Sequence, residues 1–496
     1  MSHVIGMDIG TSGLKSVVIN KKGHVVDEYH VTYKTSHPYP GYSEMDPEIW
    51  YDAAIESLDY LLHNEAGKKV SGISFSGQMH GLVTIDENGD SIRPAILWND
   101  TRNTKQVKQI LDSVTLDKLL ENTSNTVLEG FTLPKLLWVR ENEFENYKKV
   151  HKIMLPKDYI VYRLTGNVYS EPSDFAGTIM YDVKKETFAY DLLNELDIDV
   201  DICPEIIPSH GKSGVIKDEV KKQLNISRDI NIYQGGADNA CGALGSGITD
   251  ESRQLVSIGT SGVALAIENS SEFKNDGSVH YFNHCVPNQK YIMGVTLSSG
   301  SSLEWLKEIL DANVSFETFI KGFTDSPIGS NGLLFAPFLH GERTPYNDAN
   351  IRGSFIGLDR STNKNDLKRA VIEGISFSIN ESIAIMRDHG LNIKNIVSIG
   401  GGSKNKEWLN VQADLFNAKI YTRTEEQGPA FGAAMLAAMG EGWFESFDNM
   451  IDEFIDYNEE IQPRKENSEK YKKLFEIYKK LYSQTIELSK ELREFK

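Results

Sequence analysis

"DIGTSG" occupies residues 8–13 and "SIGTSG" residues 257–262. The two hexapeptides differ only at their first residue, Asp8 against Ser257, and stand about half of the 496-residue chain apart. Around each, the sequence reads strand, turn, strand. "HVIGM" leads into the first and "LKSVVIN" leaves it; "QLV" leads into the second and "VALAI" leaves it. A Gly/Thr/Ser turn between apolar, β-branched runs is a hairpin signal. Such a turn points successive backbone N–H groups and short hydroxyls into one concavity that suits phosphate oxygens. Either copy alone also reads as an ordinary glycine turn. Two copies at matching places favour a pair that clasps a polyphosphate from both sides. The mismatch has its own reading. A Mg²⁺–nucleotide site needs one or two carboxylates plus substrate phosphates, so Asp8 serves one jaw and the other dispenses with it. Asp8 also reads as a turn cap, although its place inside "VIGMDIG" makes a partnerless carboxylate costly.

The length argues for two domains, because single cores stop growing at roughly 250–300 residues. The formal net charge is −19, which argues against a nucleic-acid or anionic-membrane surface. A polyanionic ligand would need a local island of backbone N–H groups, a metal and a few basic side chains. The three cysteines, Cys203, Cys241 and Cys285, form no C-x-x-C or metal-ligand cluster and suit a reducing compartment. The N-terminus enters a strand pattern without a signal-peptide signature, and no run is long and apolar enough to span a membrane. These features predict a cytoplasmic enzyme. A symmetric homodimer is the default assembly, with no interface legible in the chain.

Strands and helices alternate in both halves. Asp46-Pro47 opens a helix in the first, and "LKRAVIEGISFSINESIAIMRDHG" forms a long helix stopped by Gly390 in the second. The spacing predicts two related α/β domains from a duplication, joined near residues 242–248, with a ligand in the cleft between them. The C-terminal stretch carries Tyr471, Leu474, Ile477, Tyr478 and Leu481 at helical spacing, the mark of a packing face.

Three further stretches carry chemistry. "YQGGADNACGALG" (233–245) surrounds Asp238 and Asn239 with small residues at the start of a helical pattern. Transfer of a phosphoryl group to an alcohol needs a base within reach of the hydroxyl, and Asp238 is that candidate or else a helix N-cap. "SIGGGSKNKEWLNVQAD" (398–414) places three glycines at a strand–helix junction, where a base or ribose can lie flat or a tight turn can form. "SFSGQMHGLVTID" (74–86) sets His80 between Gly77 and Gly81 after a strand. There it is either a polyol ligand, more exposed than a core histidine, or a structural residue. The chain has no P-loop or dinucleotide fingerprint: "SHGKSG" has Ile206 where the first glycine belongs, and "GGGSKN" ends in Asn405.

In this order the motifs resemble the FGGY carbohydrate kinases, of the actin/hexokinase/heat-shock-chaperone ATPase superfamily. The similarity runs nearly end to end and includes "HGERTPYNDANIRGSFIGL" (340–358). "SGQMHGLVTID", "RPAILWNDTR", "GFTLPKLLWVR", "LPKDYIVYRLTG" and "GGADNACGALG" are most similar to the branch acting on five-carbon ketoses such as D-xylulose. The resemblance implies an α/β fold of two duplicated actin/hexokinase-like (ribonuclease H-like) domains with an interdomain active-site cleft. Residues 1–245 would bind sugar and carry the first phosphate loop and the catalytic aspartate. Residues 246–496 would carry the second loop and the adenosine site, with a final helix, 467–495, packing across the domains. It further implies that Gly10, Thr11, Ser12, Gly13 and Lys15, with Gly259, Thr260 and Ser261, hold the phosphates of ATP. Asp8 orients Mg²⁺, and Gly400, Gly401, Gly402 and Asn405 receive adenosine. Met79, His80, Asp238 and Asn239 face the sugar, and Asp238 is the general base. Cys241 departs from the family pattern and is expected to put a thiol near the cleft. The alternatives are another sugar or polyol (ribulose, another ketose, gluconate, glycerol) or a non-metabolic actin-like ATPase.

Overall fold

β1 (His3–Ile9) turns at residues 10–12 into β2 (Gly13–Asn20), and β3 (Val25–Thr32) completes an antiparallel meander. α1 (Pro47–His63) starts at Asp46, whose carboxylate accepts the Glu48 N–H, with Pro47 as the first helical residue. β4 (Val70–Gly77) returns parallel to β1. After α2 (Pro156–Thr165), β5 (Lys212–Val215) and β6 (Asn231–Tyr233) extend the sheet, and the short β7 (Gly236–Ala237) pairs with the end of β4. The strand order is β5-β6-β4-β1-β2-β3. The structure, a computed structural model, describes residues 2–425, 427–458 and 460–495.

α3 (Asp238–Gly245) leads into the second half. Its strands are β8 (Gln254–Ile258), β9 (Gly262–Ile267), β10 (His280–Asn283), β11 (Lys290–Thr296), β12 (Asn395–Gly400) and β13 (Lys419–Tyr421). Its principal helices are α4 (Gly300–Asp311), α5 (Lys364–Asp388), α6 (Lys406–Phe416) and α7 (Pro429–Gly440). The sheet order is β10-β11-β9-β8-β12-β13. The two sheets share one plan. A central strand pairs antiparallel with its hairpin partner, which pairs antiparallel with a third strand. On its other side the central strand runs parallel to a strand reached through a helix, and a further parallel strand follows. Thus β3-β2-β1-β4-β6 matches β11-β9-β8-β12-β13 in order and direction. The duplication read from the hexapeptides extends to the whole strand plan.

The alternation along β1 explains how the halves join. Ile5, Met7 and Ile9 enter one core with Trp50, Leu58 and Leu61 of α1. Val4, Gly6 and Asp8 lie on the opposite face by the two-residue period of a strand. There α7, "PAFGAAMLAAMG", lies against β1. A helix apolar all round is a buried helix, and this one is covered by the first sheet and by α3. The approach is so close that a Cβ on Gly6 would stand 1.9 Å from the Ala430 carbonyl oxygen, and one on Gly432 1.9 Å from that of Cys241. Gly6→Val is therefore expected to lower the apparent melting temperature, since overpacking costs ~1–3 kcal/mol even where neighbours can shift. A thermal melt of the variant checks this; an unchanged transition would refute the close packing.

The C-terminal segment differs from one continuous helix. It forms α8 (Lys465–Tyr478) and α9 (Leu481–Leu492). The two have different targets. Tyr471 on α8 donates to Glu373 of α5 (2.9 Å), whereas Tyr482 on α9 stacks on Tyr346 (3.8 Å) and donates to Asp348. These partners belong to the second half, not to a surface shared by both.

Candidate active site

Three parallel strands of the first sheet end side by side. Asp8 of β1 pairs with Ser76 of β4, which pairs with Gly236 of β7; Ile9, Gly77 and Ala237 follow in the same row. Beyond these ends come the loop 10–12, the segment Gln78-Met79-His80 and the start of α3 at Asp238. The carboxyl ends of parallel strands are where ligands collect in open α/β sheets. Period-2 alternation and parallel register thus converge three segments that are far apart in sequence.

Asp238 is the first residue of α3, with Ala237 as the N-cap. Its carboxylate accepts the Asn239 backbone N–H (2.7 Å) and Nδ2 (2.9 Å). Burial, then the negative Asp8, push its carboxyl up to about 7, against the pull of the Asn239 donors. Asp8 is half-buried, and its Oδ1 is shut off from solvent without a hydrogen-bond partner. Burial lifts it to about 6, opposed by the Ser76 hydroxyl and by Lys15. Two facing carboxylates, one oxygen of which lacks a partner, fit a divalent cation whose other ligands are water and phosphate. Among the described residues no group of three or more His, Cys, Asp or Glu side chains makes a closed metal cage. The donor set therefore suits a cation that arrives with a nucleotide.

Both hairpin loops are built alike. Around the first, the Gly10 carbonyl accepts Tyr33 Oη (2.8 Å) and Gln78 Nε2 (3.2 Å), Thr11 O accepts Thr35 Oγ1 (3.2 Å), and Ser12 O accepts the Tyr33 N–H (3.1 Å). Around the second, Gly259 O accepts the Gly300 N–H (2.8 Å), Thr260 O those of Ser299 (3.0 Å) and Ser301 (3.2 Å), and Ser261 O that of Gly259 (2.9 Å). Every carbonyl of both loops is engaged. The N–H groups of Thr11, Ser12, Thr260 and Ser261 make no hydrogen bond among the described residues. Two loops with spent acceptors and spare donors are anion nests. Lys15, opposite Asp8 in the hairpin, reaches Gln427 Oε1 (2.8 Å) just ahead of α7.

The glycines 400–402 end β12 in register with Ile258, beside the second hairpin. Two of them have packing reasons. A Cβ on Gly400, whose φ is 79°, would stand 2.7 Å from Ile258 O, and one on Gly402 2.7 Å from Ile258 Cβ. Gly401 faces more open space. Asn405 caps α6 by accepting the Trp408 N–H (2.9 Å), which takes up its side-chain oxygen.

His80 is half-buried, less exposed than its glycine neighbours suggest, and its φ of 70° is left-handed. The reason is a fixed ring. Nδ1 lies 2.7 Å from the Gly177 carbonyl oxygen, which only accepts, so Nδ1 carries the proton and Nε2 presents a lone pair. Burial, then the Lys135 ammonium, hold the ring well below the usual histidine range, so it is neutral. Phe131 (4.8 Å) and Phe282 (6.0 Å) pack against it, and His280 stacks on Phe282 (5.5 Å). Met79 Sδ lies 3.7 Å from Asn239 Nδ2, which ties the His80 segment to Asp238.

Several supporting residues escape a linear reading. Gln78 and Trp98, which donates to Thr11 Oγ1 (2.9 Å), brace the first loop. Ser173 Oγ accepts the Ala237 N–H (3.0 Å) and donates to Glu171 (2.8 Å), beside the wholly buried Lys157. His280 comes from the second half. In sequence nothing singles these residues out; only their contacts mark them. Cys241 lies beside Gly236 at the strand ends, as expected near the site, but its thiol is fully buried.

The model for the N-terminal domain of the FGGY family of carbohydrate kinases matches residues 3–245, and that for its C-terminal domain residues 255–441. The chain is 62% identical to a xylulose kinase of Staphylococcus xylosus over 482 residues, covering 97% of this chain and all of that one. Among solved structures, the ligand-bound xylulose kinase of Lactobacillus acidophilus superposes with a TM-score of 0.91 at 27% identity, covering 98% of this chain and 99% of that one. The gluconate kinase of the same organism does so with 0.92 at 27%, covering 97% and 98%. The two solved structures are alike in both backbone fit and identity and so do not separate the two substrates, whereas the 62% identical relative is a xylulose kinase.

Proposed function

The chain belongs to the FGGY family of carbohydrate kinases, and from that premise we propose that it transfers the γ-phosphoryl group of ATP to the terminal C5 hydroxyl of D-xylulose, giving D-xylulose 5-phosphate. The observation that carries the reading is the convergence of Asp238, whose carboxyl sits near 7, with Asp8, the spare N–H donors of the first loop and the neutral His80, while a second loop of the same build stands in the second half. The Thr11 and Ser12 N–H groups take phosphate oxygens from one side, those of Thr260 and Ser261 from the other, and Lys15 adds charge to the first jaw. Adenosine rests by Gly401, between Gly400 and Gly402, near Asn405. Mg²⁺, held with the nucleotide by Asp8, neutralises phosphate charge when bound. Met79, Asn239 and His80 hold the sugar, Nε2 accepting a hydroxyl proton. Asp238 accepts the C5 proton as the phosphoryl group transfers in line. Closing of the halves keeps water from the γ-phosphate.

No helix among the described residues is long and apolar enough to cross a membrane; the reading places the enzyme in the cytoplasm, with its ATP supply. An ADP-release assay across a panel of pentuloses, gluconate and glycerol tests the substrate. D-xylulose is expected to give the highest kcat/KM. A clear preference for gluconate or glycerol would overturn the ketose assignment and leave the kinase in place.

A further inference from the structure

One charged group at the His80 wall has no use in the mechanism above. Arg343 belongs to the second half, and its backbone is pinned there from both sides. Its own N–H donates to Glu342 Oε1 (2.8 Å), which also accepts the Leu297 N–H (2.9 Å), and the next residue, Thr344, exchanges hydrogen bonds with Val295 (2.9 and 3.0 Å). From that anchor the side chain crosses to the first half. Its Nη2 lies 3.9 Å from where a Cβ on Gly130 would stand. Gly130 precedes Phe131, the ring that packs on both His80 (4.8 Å) and His280 (5.6 Å).

The guanidinium is half-buried and makes no hydrogen bond or ion pair among the described residues. Glu129 and Glu342 attract it from a distance, and it in turn repels protons from His80 and His280. A sheltered guanidinium with five unused donors is costly unless a ligand takes them. Its position selects the ligand's end. Gly130 and Phe131 place it at the His80 wall, whereas Asp8 and Asp238, which mark the reacting hydroxyl, lie at the strand ends and the start of α3; Asp238 answers to Asp8, and His80 and His280 answer to Arg343. It therefore sits at the non-reacting end of whatever lies between Asp238 and His80.

We propose that Arg343 is a substrate-contacting residue that reaches from the second half to donate a forked pair of hydrogen bonds to the C2 carbonyl and C1 hydroxyl oxygens of the bound ketose. This rests on the sugar-kinase reading above. The fork suits two adjacent oxygens, and the carbonyl is an acceptor that a polyol lacks. His80 Nε2 accepts from a hydroxyl on the same wall, so acceptor and donor together read a hydroxyketone. Because the two groups come from different halves, sugar binding bridges the cleft.

The test compares wild type with Arg343→Met and Arg343→Lys on D-xylulose and on its 1-deoxy analogue. Loss of a charge-assisted hydrogen-bonded pair is expected to raise the D-xylulose KM ~10–100-fold, with the ATP KM nearly unchanged. The preference for D-xylulose over the deoxy analogue should fall toward parity in Arg343→Met, and Arg343→Lys should be intermediate. A change in ATP KM as large as in sugar KM, or an undiminished preference for D-xylulose, would overturn the proposal. So would a Glu129→Gln enzyme that copies Arg343→Met, since that would make Arg343 a latch between the halves. If Arg343→Met does not fold, Arg343→Lys decides on the same two substrates. Wild-type inactivity on D-xylulose would strike the substrate reading instead, and the Arg343 comparison then runs on the sugar that wild type accepts.

Discussion

Asp238→Asn is expected to cut kcat by ~10²–10⁴, the range lost with a positioned general base, while ATP binding persists. Asparagine keeps the volume and can still face Asn239, so the loss reports proton acceptance rather than collapse of the helix start. The wild-type pH profile should carry the same signature. With its carboxyl near 7 in the free protein, Asp238 is protonated and unable to accept a proton below that value. The acid limb of kcat/KM is therefore expected near pH 7, with activity lost as pH falls. Near-normal turnover in the variant, measured by coupled ADP release, would remove Asp238 from the reaction, and isothermal titration with ATP checks that the nucleotide still binds.

Asp8→Asn is expected to act twice. Losing the carboxylate that positions the cation, directly or through water, should raise the Mg²⁺ concentration for half-maximal rate by about 10–100-fold. The second effect is electrostatic. Asp8 is the charged group that raises Asp238. Without its negative charge the Asp238 carboxylate is easier to form, so its pKa falls and the acid limb of kcat/KM moves to lower pH. The two effects separate by experiment: saturating Mg²⁺ restores part of the rate but leaves the shifted limb. An acid limb that stays in place or moves upward would show that the two carboxylates do not communicate.

The architecture was legible because its signals are short-range. The paired hexapeptides sit between β-branched runs, and the chain folds them as hairpins with equivalent strands in both sheets. Asp46-Pro47 and the Gly390 stop mark helix ends through their own dihedral and capping chemistry. The break between α8 and α9 was not legible, because the apolar spacing runs through it and only the separate docking of Tyr471 and Tyr482 divides it. At the site, Asp8, His80 and Asp238 stood out as polar residues at the ends of apolar strands. Arg343 and His280 did not, since nothing near them in sequence says that they meet the first half. The glycines of 400–402 read as either a ligand surface or a tight turn, and only the fold adds that Gly400 and Gly402 answer to the backbone and side chain of Ile258.

The sequence by itself therefore determined the duplicated strand plan, the two phosphate-ready turns and the identity of the candidate base. Each depends on residues within a few positions of one another, where spacing and side-chain type act directly. The tertiary structure alone decided the protonation behaviour of Asp238, the neutral tautomer of His80, the sheltered position of the Arg343 guanidinium and the need for glycine at position 6. Each of these is set by burial and by a neighbour from a distant segment: Asp8, Gly177, Gly130 and Ala430. Desolvation, Coulomb interaction and steric contact depend on distance in space, which no local pattern encodes.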